Sequence, residues 1–365
     1  MKRVHRIVLI VVAACIVTGG TAFGVLIFGT WGTLDYENNY YYNPSIPSPI
    51  ERININCDIG TVIIKYNNTP TNFYAQVDLG IHIEGILVKG SSLLDFFHPI
   101  VWENTSSVTT FTLAAKATTW FIFGFLQQIE VNLTLRTDVI YDINSQTSTG
   151  AIYMAVPSNT IVNNTLLSTA TGVVSLEADD NTIFQGNVGL TTSTGGVALY
   201  ARQVNFTHDL IISTATGEIY LNFSRCIIGR KLIGTVSTGS ITFNSYNMKY
   251  TGDYLWYLHT STGSIYATIL QYNEMGANIT GSMQTSTGSI NVYYRDNLAS
   301  VGAKFICSTS TGSNSFIPIG TGGFTDTGSN PKTITSDDYD YTATNRYTFS
   351  AATSTGSIQV LGESK

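Results

Sequence analysis

Five histidines and 24 acidic residues supply any general acids, bases or metal ligands this chain could use. His5, His82, His98, His208 and His259 occur singly, without an HxE, HxH or HExxH spacing that would bring two ligands to one face, so zinc chemistry has no local support. No Gly-x-Ser-x-Gly elbow and no glycine-rich loop ending in Lys-Ser or Lys-Thr is present, which removes the serine-hydrolase and nucleotide-binding signatures. Carboxylates need closer reading, because two carboxyls about 5 to 9 Å apart can cleave a glycosidic bond. The densest groups are Asp179-Asp180 and Asp337-Asp338-x-Asp340. Each reads more simply as a solvated turn, and no EF-hand or glycine-aspartate nonapeptide pattern marks the second as a calcium site. No catalytic, cofactor-binding or metal-ligating residue is therefore assigned, and no cofactor is expected.

What must position any surface chemistry is a repeat. The triplet Ser/Ala-Thr-Gly places glycines at Gly150, Gly172, Gly195, Gly217, Gly239, Gly263, Gly288, Gly312 and Gly356, with steps of 22, 23, 22, 22, 24, 25, 24 and then 44. A step of 44 equals two periods, so one copy between Phe316 and Phe349 is expected to have lost its signature around Ser336-Asp337-Asp338-Tyr339-Asp340. A fixed period in this range marks a stacked repeat.

Inside each repeat apolar residues alternate with period two, which is a strand pattern with one buried face. Ile152, Val174, Val197, Ile219, Ile241, Ile265, Ile290 and Ile358 stand two places after the glycine; only Asn314 breaks that series. Apolar residues also recur seven and five places before it, as in Leu210 and Ile212 or Trp256 and Leu258. Two short strands thus meet at each Thr-Gly, where glycine reaches the positive φ that a corner commonly needs. Hydroxyls beside the corner are expected to form ladders if coils stack about 4.8 Å apart. The expected fold is all-β: a parallel β-helix, or β-solenoid, of about 22-residue coils whose backbone hydrogen bonds run between coils.

The corners Thr262-Gly263-Ser264-Ile265, Thr287-Gly288-Ser289-Ile290 and Thr355-Gly356-Ser357-Ile358 resemble those of the adhesin-like β-helix proteins, a family of unknown function. The resemblance covers most of residues 51 to 365, is specific for architecture, and implies a surface or secreted structural module with no catalytic residues to carry over.

The remaining segments follow from composition. Lys2, Arg3, His5 and Arg6 precede an apolar run from Ile7 to Phe28, about 22 residues, which matches the ~30 Å hydrocarbon core as a helix. The positive-inside bias then leaves residues 1–6 in the cytoplasm, 7–28 as a single-pass transmembrane anchor, and everything later outside. A cleaved secretory signal gives the same outside location, and Val12-Ala13-Ala14-Cys15 is similar to a lipobox. Residues 29–50, rich in Tyr and Pro, read as a semi-rigid linker. Residues 51–146 read as an irregular β cap region that includes the apolar stretch Trp120–Leu126, and 147–365 as the solenoid repeats.

With 18 Lys plus Arg scattered against 24 Asp plus Glu, the net charge of -6 excludes a nucleic-acid footprint. Four cysteines, Cys15, Cys57, Cys226 and Cys307, are too few for a disulfide scaffold. Tyr153, Tyr220, Tyr266 and Tyr293 are read as one outward column able to hold a surface glycan or protein, although cross-strand packing that stabilises an exposed sheet is the simpler reading. The functional expectation is a membrane-anchored, cell-surface, adhesin-like interaction module without catalysis. Its rivals are a polysaccharide-active β-helix enzyme and a scaffold that self-associates end to end.

Overall fold

The computed structural model describes residues 31–363 except 69–71, 86–87, 89, 106, 117–123, 253 and 320–322. The proposed span 7–28 and most of the apolar stretch Trp120–Leu126 lie outside the described residues. Among the described residues no helix is long and apolar enough to cross a membrane.

The described residues form three sheets. Strands that follow the corner glycines, such as Val174–Ala178 and Ile219–Ser224, build a 13-stranded sheet, and strands that precede them, such as Thr165–Thr171 and Leu210–Thr216, build a 14-stranded sheet. Between coils the pairing is parallel and in register, so Val174 lies between Ile152 and Val197. The five strands of the third sheet are only two residues long: Ile161–Val162, Ile183–Phe184, Asn205–Phe206, Ile227–Ile228 and Lys249–Tyr250. The alternating apolar residues of all three sheets meet in one core, where Leu176, Leu199, Leu221 and Phe243 are fully buried.

A second corner, which the sequence pattern did not disclose, leads into the third sheet. Asn159, Asn181, Gln203, Arg225 and Asn247 adopt φ between 51° and 63° there. Asparagine tolerates this left-handed conformation better than most residues, and the Asn181 amide donates to Asn159 Oδ1 at 3.3 Å. The third sheet stops at Tyr250, where a side chain replaces the next strand: Gln271 Oε1 accepts from the Met248 N–H, and Gln271 Nε2 donates to the Met248 carbonyl, both at 3.1 Å. Gln271 is fully buried, and its amide is further satisfied by donating to the Asn273 carbonyl at 2.6 Å and accepting from the Tyr347 hydroxyl at 3.1 Å.

Coil order in space differs from coil order in sequence at both ends. The first coil, Glu51–Ile59 and Thr61–Asn67 around Gly60, is flanked on one side by Tyr141–Thr149 and Ile152–Val156. On its other side lie Val108–Leu113 and Gly124–Arg136, which come later in the chain and pack outside it. At the far end the last coil, Asn345–Thr355 and Ile358–Glu363, is inserted between the Gly288 and Gly312 coils, pairing with both. The step of 44 therefore does not hide a degraded coil. Phe324–Thr327 and Lys332–Ser336 form an antiparallel hairpin that covers the edge of Val301–Thr311, and the acidic stretch that follows is a turn.

The N-terminal linker is also revised. Gly32–Tyr42 is a strand, paired antiparallel with Ala75–Gly85 over its whole length. Its inward residues Leu34, Tyr36 and Tyr40 pack on the core, and the Tyr42 hydroxyl donates to the fully buried Glu51 at 2.7 Å. The prolines that argued for a linker, Pro44, Pro47 and Pro49, all lie after this strand.

Candidate binding faces

All nine corner glycines of the triplet, and Gly60 as a tenth, stand in one column in the spatial order 60, 150, 172, 195, 217, 239, 263, 288, 356, 312. The nine have φ from 138° to 145°, and a Cβ on Gly172 would lie 1.9 Å from the Gly150 carbonyl oxygen. Glycine is thus required twice, by backbone conformation and by the approach of the next coil.

The hydroxyl ladder sits further from the corner than expected. The Ser and Thr of the triplet are mostly exposed, whereas the threonine three places before the glycine is buried and, in most coils, donates to the glycine carbonyl of the neighbouring coil. Thr169 reaches Gly150 O at 3.0 Å, Thr192 reaches Gly172 O at 3.1 Å, Thr214 reaches Gly195 O at 3.0 Å, and Thr260 reaches Gly239 O at 2.8 Å. Thr285 and Thr353 repeat the contact at 2.9 and 3.0 Å. Val236 holds the equivalent place below Gly217 and has no hydroxyl to give. A second ladder, nearer the one expected, follows the glycine: the Ser289 N–H donates to Ser264 Oγ at 3.2 Å, and Ser289 and Ser357 share a hydroxyl bond of 3.2 Å.

On the outer side of the 13-stranded sheet Tyr153, Tyr220 and Tyr266 occupy the same column, separated by the small residues Ser175, Ala198 and Thr242. Tyr153 and Tyr220 are three coils apart and Tyr220 and Tyr266 two, about 14 and 10 Å at ~4.8 Å per coil. Tyr293 does not join them: it stands five places after Gly288, in register with Thr268 and Leu361, because a two-residue offset moves it along the strand to a parallel column. Tyr200, also at the fifth place, packs its ring 5.4 Å from that of Tyr220. Tyr153, Tyr200 and Tyr266 are 42 to 48% exposed, and Tyr220 is half-buried.

The acidic groups are engaged locally. Arg202 lies 2.7 Å from Asp180 and 3.7 Å from Asp179, so one guanidinium joins both carboxylates. The Asp338 carboxylate accepts from the Thr342 hydroxyl at 2.9 Å, within the turn that precedes Asn345–Thr355. His82 pairs with Asp35 at 2.6 Å, and no group of three His, Cys, Asp or Glu side chains among the described residues is arranged to hold a metal ion. Cys57, Cys226 and Cys307 are free and buried. Burial pushes their thiols up to about 12, 11 and 12, which keeps them protonated and unreactive.

Comparison with known proteins adds little. No family model and no curated protein matches the chain. Among the solved structures that show similarity are two at 10% identity: a candidate cell adhesion protein from Clostridium sporogenes ATCC 15579, with TM-score 0.24 over 90% of this chain and 100% of the other, and a candidate adhesin from Bacteroides fragilis NCTC 9343, with TM-score 0.34 over 90% and 97%. Both descriptions concern adhesion, as does the group that the Ser-Thr-Gly-Ser-Ile corners resemble. Superpositions this loose carry no argument, and the solenoid assignment rests on the sheets and corners above.

Proposed function

We propose that the chain is an adhesin-like binding module of the cell surface, held to the membrane by its N-terminal segment, that engages glycans without cleaving them. The observation that carries the reading is the row of outward tyrosine rings on the 13-stranded sheet, Tyr153 and Tyr266 exposed and Tyr220 half-buried, with the small residues Ser175, Ala198 and Thr242 as hollows between them. A sugar ring placed in such a hollow gains apolar contact from a rigid aromatic side and a hydrogen bond from the phenol, with little side-chain entropy lost. The sequence supports the placement outside the cell, through the basic start and the apolar run Ile7–Phe28.

Two observations weigh against the rivals. A retaining or inverting glycosidase needs one carboxyl to hold a proton and another to stay charged, whereas Asp179 and Asp180 share Arg202. End-to-end assembly needs open terminal edges, and here antiparallel strands cover the outermost coil of the 14-stranded sheet at both ends: Val101–Asn104 at one and Lys332–Ser336 at the other. The test is binding of the full chain to a glycan array, with Tyr266→Ala and Tyr220→Ala as variants. Loss of an aromatic contact worth about 0.5 to 1.5 kcal/mol lowers affinity about two- to tenfold for each. Unchanged binding by both variants removes the tyrosine face from the reading.

A further inference from the structure

A second surface, on the 14-stranded sheet, has the features of a small-ligand site. Beside the corner column a hollow of about 360 Å³ is bounded by residues of the Gly263, Gly288, Gly356 and Gly312 coils. Along the outward column four places before each glycine, the side chains shrink abruptly: His259 and Gln284 are followed in space by Ala352 and Ser308. The two long side chains form a wall and the two short ones a floor. Insertion of the last coil makes this step, because it places Ala352 between Gln284 and Ser308.

The polar atoms around the hollow are unusually free. Thr309 is only 7% exposed, yet its hydroxyl makes no hydrogen bond among the described residues, whereas Thr285 and Thr353 in the same column each donate to a glycine carbonyl. His259 Nδ1 is shielded from water and also has no partner, so no bond fixes the tautomer of the ring. The flat face of Tyr257 lies parallel to the imidazole, with centroids 5.9 Å apart and 10° between planes, which holds the wall upright. Gln284 is braced by Nε2 donating to Ser282 Oγ at 2.9 Å, leaving its carbonyl oxygen available.

The lining contains hydroxyls, an amide and an imidazole, and no Asp, Glu, Lys or Arg. A charged ligand would lose water there without gaining an ionic partner, and an apolar ligand would strand the hydroxyls. A neutral ligand dense in hydroxyls both donates and accepts at every point, as Ser and Thr do. The volume falls within the ordinary range for small-molecule sites. We infer that this hollow is a binding site for a neutral hexopyranose residue, built by the inserted C-terminal coil. The inference rests on the reading of the chain as a glycan binder, but the hollow lies on the 14-stranded sheet and the tyrosine row on the 13-stranded sheet, so the two fail separately.

The experiment is titration of the full chain with methyl pyranosides of glucose, galactose and mannose, followed by ligand-observed NMR and calorimetry. At least one should saturate with a Kd in the millimolar range, about 1 to 10 mM, as befits one sugar residue in a shallow site. Ala352→Leu, which fills the floor from an outward position, should weaken binding at least about tenfold, and Thr309→Val about three- to tenfold, while Ile211→Ser, at an exposed outward position of the same sheet outside the hollow, leaves it within about twofold. Thr309→Val keeps the test valid if Ala352→Leu disturbs the coil. Absence of saturation by every pyranoside, or binding that both Ala352→Leu and Thr309→Val leave intact, overturns the site. Loss of binding in Tyr266→Ala alone assigns the sugar to the tyrosine face and overturns it equally.

Discussion

The missing rung at Val236 offers a test with a sign as well as a size. In the coils on either side, Thr214 and Thr260 donate to Gly195 and Gly239 at 3.0 and 2.8 Å; Val236 stands in register between them, 2% exposed. Val236→Thr replaces one methyl by a hydroxyl of similar size aimed at Gly217 O. Losing the buried methyl costs about 0.8 kcal/mol, and supplying a donor to a carbonyl that otherwise lacks one recovers about 1 to 3 kcal/mol. The balance favours threonine by about 1 kcal/mol. Thr214→Val makes the opposite exchange at Gly195 O and should destabilise by a similar amount. Urea unfolding followed by circular dichroism reads both, with a higher midpoint for Val236→Thr, a lower one for Thr214→Val, and an unchanged slope. If Val236→Thr lowers the midpoint while Thr214→Val leaves it alone, methyl packing outweighs the ladder and the hydroxyl column does not stabilise the stack.

Three further outcomes are expected. Gly217→Ala puts a Cβ 1.8 Å from Gly195 O at a φ of 143°, so it should destabilise by more than about 3 kcal/mol, and a loss under about 1 kcal/mol in the same urea assay would contradict the corner geometry. Cys57, Cys226 and Cys307, with thiols raised to about 12, 11 and 12, should resist a thiol reagent at about pH 8 and react once guanidinium unfolds the chain; peptide mapping of the label checks each one. Burial pushes the Asp142 carboxyl up, but hydrogen bonds from Asn164, Asn163 and Arg52 hold it below the ordinary 3.8. A depressed native value gives stability that is present above the unfolded pKa and is lost as pH falls through the native one, so Asp142→Asn should be less stable than the parent at pH 7 and lose that deficit in acid, by urea midpoints across pH.

The repeat, the strands and the glycine corners are legible in the sequence because one physical constraint, a backbone approach with no room for a Cβ, recurs every coil. The same uniformity hides the coil order. Thr287, Thr311 and Thr355 sit at equivalent corners, so each could pair with either of the others, and no local pattern reveals that Thr355 lies between the other two. The second corner left only the faint signal of Asn159, Asn181 and Asn247, since Gln203 and Arg225 occupy the same backbone conformation. The strand Gly32–Tyr42 escaped notice because the tyrosines that make it half-buried run straight into prolines. Nothing in the residue types marked the hollow beside Ala352, which exists only because coils distant in sequence became neighbours.

The most direct test of a non-catalytic binding role is one measurement on the full chain: glycan-array binding, with released sugar quantified on every glycan bound. Retention of glycan with no reducing ends formed is the expected result. Accumulation of released sugar that depends on Asp179 or Asp180 would contradict it, and absence of binding to any glycan would contradict the proposed ligand class.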